Sequence, residues 1–124
     1  MEKPTVEYLF RIEPEDIPVR GNAMASGDAE ADKRDEDAII ARLNRGEIEA
    51  WCMAIVTART VVDGQEFVGE ATLGACSCDS EKELQNHCFE HYGMKAEALE
   101  DLKRELVSRR DEGETAGELL KVLA

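Results

Sequence analysis

The sequence predicts a small α+β domain: an antiparallel sheet, made of a central hairpin and an N-terminal strand, with helices packed on one face. Three observations predict it. Asp63-Gly64 separates two strand-like runs, 48–62 and 65–76. Such a pair is a strong hairpin signature, because a type I′ turn needs positive φ at both central positions. Residues 5–12, Thr-Val-Glu-Tyr-Leu-Phe-Arg-Ile, are β-branched and aromatic and read as a first strand. Stretches beginning near residues 28, 80 and 94 carry apolar residues at helical spacing. With 124 residues, 43% of them hydrophobic, the chain fits one domain with a modest core.

Each element follows from its residues. Pro14 and Pro18 end the first strand, since proline cannot donate to a ladder and holds its predecessor extended. Gly21–Gly27 is small and flexible, so it is a loop. Ser26 or Asp28 caps a helix running to about Asn44 or Arg45, with acidic first turns as the macrodipole prefers. Ile39, Ile40 and Leu43 form its apolar stripe, and Gly46 stops it. In the hairpin, Cys52, Ala54, Val56, Ala58, Phe67, Ala71, Leu73 and Ala75 share one face by alternation. Most are small, so a helix can approach closely. Trp51, Met53, Ile55, Arg59, Glu66, Val68 and Glu70 form a mixed face, expected to be partly covered. Ser80 and Glu83 form a capping box that opens a helix to about Tyr92. Gly93 permits a break. A further helix spans about Met94 to Arg110, with Ala98, Leu99, Leu102, Leu106 and Val107 inward. Residues 1–112 then form the acidic domain, and 113–124 a short amphipathic tail.

Charge narrows the function classes. The chain holds 28 Asp+Glu against 15 Lys+Arg, a net charge of −13. Such a surface repels nucleic acid and anionic lipid and attracts basic partners. No apolar run approaches the length of a membrane span, and Met1-Glu2-Lys3-Pro4 lacks a signal-peptide core. A cytoplasmic protein with free thiols is expected.

The acidic helix start is the first candidate site. Asp28, Glu30, Asp32, Asp35, Glu36 and Asp37 lie within ten residues, with Glu13, Glu15 and Asp16 upstream. They read either as a solvated helix start or as a surface that imitates a phosphate track and captures a basic groove. Trp51, the only tryptophan, reads either as core or as an anchor for a partner. Cys76, Cys78, His87, Cys88 and His91 form the one metal-like cluster. Its spacing differs from the Cys-x2-Cys pairs of zinc sites, so small buried cysteines and partly exposed histidines are the stronger reading. Acid–base chemistry by His87 or His91 with Glu83 or Glu90, or an activated Cys88, lacks a complete motif; no enzyme and no cofactor are expected. The glycine-containing loop 21–27 faintly suggests anion binding, but Asp28 and its neighbours oppose phosphate.

The segment Glu13-Pro-Glu-Asp-Ile-Pro-Val-Arg-Gly-Asn-Ala-Met-Ala-Ser-Gly-Asp28 resembles a motif of short accessory proteins carried by plasmids, integrative elements and prophages. The Asp63-Gly64 hairpin, the Leu73-Gly-Ala-Cys-Ser77 strand end and the Met94–Leu102 helix are similar too. The resemblance covers about residues 8–108 and implies context rather than activity. Mobile elements carry small acidic inhibitors of host defence, including anti-CRISPR proteins. The expectation is a non-enzymatic inhibitor, monomer or homodimer, that occupies a basic nucleic-acid-binding surface such as that of a type I CRISPR effector. The alternatives are a zinc- or redox-dependent regulatory module, or an antitoxin-like acidic partner of a basic protein.

Overall fold

The computed structural model describes residues 5–109 and 114–123. In chain order the elements are β1 (Glu7–Pro14), α1 (Ala29–Asn44), a 3-10 turn (Ile48–Ala50), β2 (Cys52–Val62), β3 (Gln65–Cys76), α2 (Glu81–Glu90), α3 (Met94–Arg109) and α4 (Glu114–Leu123). The strands form one antiparallel sheet in the order β1-β2-β3. The fold is α+β, as the sequence predicts, with β2 central and β1 and β3 at the edges.

The hairpin turn is the two residues expected. Asp63 has φ 53° and Gly64 φ 80°, so both adopt the left-handed conformation a type I′ turn requires. The predicted face holds through Cys52, Ala54, Val56, Ala58, Phe67 and Ala71, all buried. It fails after Ala71: Leu73 and Ala75 are exposed. Ala75 has φ 56°, and this left-handed residue resets the alternation so that Cys76 turns inward, 7% exposed.

Residues 48–51 are not strand, contrary to the sequence reading. Gly46 N–H donates to Leu43 O and Glu47 N–H to Arg42 O, the paired bonds of a Schellman motif, with Gly46 at φ 87°. The 3-10 turn follows at once and uses up the chain before β2. Trp51 follows it in an extended conformation, φ −161° and ψ 101°.

The elements contribute to two compact units. One draws on the chain up to Phe10, on Val56–Ala71 and on the chain from Cys88 onward; the other draws on Arg11–Ile55 and Thr72–His87. In the first, α3 lies directly on the sheet. A Cβ at Gly69 would meet the Ala98 carbonyl oxygen at 2.5 Å and the Leu102 backbone nitrogen closer still. Only glycine admits that approach. Met94, Ala98, Leu102 and Leu106 form the buried stripe of α3, whereas Val107 is 44% exposed and points away. The C-terminal tail is α4, which packs along α3 and buries Leu119 completely. Phe10 and Phe89 meet edge to face at 6.1 Å, with the Lys95 ammonium 4.5 Å from the Phe89 ring centre.

In the second unit, Val19, Ile39, Ala50 and Trp51 form a core, with Ala23, Ile40 and Leu43 packed against it. The Trp51 indole N–H donates to the Ile17 carbonyl at 2.7 Å. Arg42 reaches from α1 to the Cys78 carbonyl at 2.8 Å and the Asp79 carbonyl at 3.2 Å. It joins the segment that follows β3 to α1.

Candidate acidic binding surface

Asp28 is the N-cap of α1. Its carboxylate accepts from the Glu30 and Ala31 N–H groups, both at 3.1 Å, and so answers two of the donors a helix start leaves open. Ser26, the other cap candidate, instead donates its hydroxyl to Asp32 at 2.5 Å, and its N–H also points to that carboxylate. Glu36 is buried, 6% exposed, and accepts from Gly21 N–H at 2.9 Å. Asp37 is paired with Arg20 and with Lys33. The Arg20 hydrogen bond, followed by that of Lys33, holds the Asp37 carboxyl below its ordinary range.

The loop 21–27 therefore does bind anions, but they are the helix's own. A chain segment with unpaired N–H groups faces a helix start that favours carboxylates, and each satisfies the other. Asp28, Asp32, Glu36 and Asp37 are all engaged within this loop–helix unit. Glu36 is corrected most sharply: it is enclosed and presents no charge outward. Glu30 and Asp35 are exposed, interleaved with exposed Lys33 and Arg34.

The upstream carboxylates divide similarly. Glu15 accepts from Ala75 N–H at 2.7 Å, and from Asp16 and Ile17 N–H at 3.0 and 3.3 Å. The Ala75 bond, ahead of the Ile17 bond, pulls the Glu15 carboxyl below its ordinary range. Glu13 stands 3.6 Å from Arg11 on the exposed face of β1. Asp16 is exposed. Trp51 is 4% exposed and belongs to the core against α1, so it is not a surface anchor. Of the two sequence readings of Trp51, core is the one the structure shows; its partners Val19 and Ile39 lie far along the chain, and no local spacing points to them.

The Cys/His residues do not converge. Among the described residues no three or more of His, Cys, Asp and Glu are placed to hold a metal ion. Cys88 is fully buried and Cys76 nearly so, while His87 is 39% exposed, 3.6 Å from Glu83. Burial foremost pushes the Cys76 thiol up, and burial followed by the Glu83 and Asp79 charges does so for Cys78. Thiols so placed are poor nucleophiles and poor ligands at neutral pH. The zinc reading therefore has no site among these residues.

No helix of the described residues is long and apolar enough to cross a membrane. Neither a family model, nor a curated protein, nor a solved structure matches this chain.

Two organising residues escaped the sequence reading. Arg20 and Arg42 each act through partners far along the chain. No local spacing links Arg20 to Asp37, or Arg42 to the carbonyls of residues 78 and 79.

Proposed function

We propose that this chain is a non-enzymatic acidic protein that binds a basic, nucleic-acid-binding protein surface. The proposed setting is a mobile genetic element, and the proposed target a host defence complex such as a type I CRISPR effector. The observation that carries the reading is the charge: 28 Asp+Glu against 15 Lys+Arg on 124 residues. The side chains proposed to make contact are the outward carboxylates Glu13, Asp16, Glu30 and Asp35. Asp28, Asp32 and Asp37 contribute to the field while capping α1, holding Ser26 and pairing with Arg20 respectively. Guanidinium groups suit such carboxylates because they bind them bidentately. The field would raise the association rate and make binding salt-sensitive.

Charge reversal tests it. Lysine at Asp16, Glu30 and Asp35 together should reduce capture of the target at least tenfold, the order expected when several rim contacts turn repulsive. Circular dichroism should remain that of the parent. Undiminished capture by a folded triple variant would refute the surface assignment.

A further inference from the structure

The two edges of the sheet are treated differently. On β3, the Glu70 N–H is taken by the Asp101 carboxylate at 2.8 Å and the Ala75 N–H by Glu15 at 2.7 Å. Ala75 also breaks the strand geometry, with φ 56°. Covering outward N–H groups and kinking the strand are devices that keep an edge from pairing with another chain.

β1 is the other edge. Among the described residues its neighbour in the sheet is β2, and the Thr60 hydroxyl donates to the carbonyl of Thr5, just before β1, at 3.1 Å. An edge strand turns every second residue's N–H and C=O away from the sheet. The sequence of β1 is self-complementary about Leu9. Glu7, Leu9 and Arg11 alternate on one face, all exposed, with Leu9 at 42%. Tyr8 and Phe10 alternate on the other, half-buried.

We propose that two copies of this chain pair through β1, antiparallel, with Leu9 facing the partner's Leu9. In this register Glu7 faces the partner's Arg11, and Arg11 faces the partner's Glu7. On the opposite face Tyr8 lies beside the partner's Phe10, and Phe10 beside the partner's Tyr8. Shifting the register by two residues either way loses the charge pairs: Glu7 would face Leu9 or another glutamate, Glu13. Opposite charges and aromatic pairs directly across an antiparallel ladder each stabilise it, and like charges there oppose it. The product is a two-fold dimer with a six-stranded sheet, isologous as such symmetry requires.

The test is sedimentation equilibrium of the whole chain at physiological ionic strength, where the mutual repulsion of two acidic copies is screened beyond roughly 8 Å. Three variants accompany it. R11E, which sets Glu against Glu7 twice, should weaken dimerisation by about tenfold or more. The swap E7R with R11E should restore it in part: the pairs between copies re-form with reversed sign, while the pairs of Glu7 with Arg59 and of Arg11 with Glu13 are lost. L9C should cross-link to the partner under mild oxidation, since directly opposed strand residues fall within disulfide reach. A V61C variant, away from the dyad, should not. A chain that stays monomeric to millimolar concentration with no L9C cross-link overturns the proposal. So does a dimer indifferent to R11E. The cross-link reads the interface even where R11E perturbs the monomer.

Discussion

At the scale of single residues, Glu36 shows how a charge changes meaning when it is enclosed. Its carboxylate is the acceptor for Gly21 N–H, and no outward role is left to it. Alanine at Glu36 would strand that donor in a half-buried setting and should cost about 2 kcal/mol in urea unfolding. Glutamine keeps a carbonyl oxygen there and should cost about 1 kcal/mol less. Asp28 makes a comparable contribution from an exposed position. Asp28→Ala removes the cap of α1 and should cost about 1 kcal/mol, whereas Asp28→Ser should be nearly neutral. A pair of urea titrations separates these structural losses from any loss of binding.

At the scale of elements, Gly69 sets the distance between α3 and the sheet. Gly69→Ala puts a methyl group into the backbone of α3, which has no flexible end to yield. A loss of about 3 kcal/mol, the upper end for overpacking, is expected in chemical denaturation. This closeness was legible in the sequence in outline, because Cys52, Ala54, Ala58 and Ala71 make a small-residue face. The hairpin, the three main helices and the Gly93 break were legible for equally local reasons: turn chemistry, capping residues and apolar spacing. What was not legible depends on contacts distant in sequence. Ala75 takes a left-handed conformation that alanine disfavours, with its N–H fixed by Glu15, sixty positions away. Trp51 is buried against Val19 and Ile39, distant in sequence, with its indole N–H on the Ile17 carbonyl. The acidic run 28–37 was visible, but its partition into engaged and outward carboxylates follows from how the loop 21–27 folds back. Residues 110–113, where the expected helix ends and the expected tail begins, lie outside the described residues.

At the scale of the whole molecule, net charge and specific pairing pull in opposite directions. A charge of −13 repels itself, so adding salt at neutral pH, from about 0.01 M to about 1 M, should raise the melting temperature. Acid reverses the balance. Glu15, Asp37 and Glu47 have carboxyls held below their ordinary range, by the Ala75 N–H, by Arg20 and by Arg45 respectively. In the unfolded chain these groups bind protons at higher pH than in the fold. Their stabilisation is therefore complete above the ordinary carboxylate range and is lost as pH falls through the lowered native values. Stability should hold or improve from neutral pH to mildly acid pH, then decline steeply below the ordinary carboxylate range. Melting curves across that window check the sign; a stability that rises continuously to pH 2, or about that acidity, would contradict the pairing described. The same charge that stresses the fold is the proposed means of binding. The most direct test is capture from a host lysate with the tagged chain, at low and high salt, with the bound proteins identified by mass spectrometry. Recovery of a nucleic-acid-handling complex at low salt, released at high salt, is the predicted result. Recovery of no such complex at either salt, or of one held equally well at both, would contradict it.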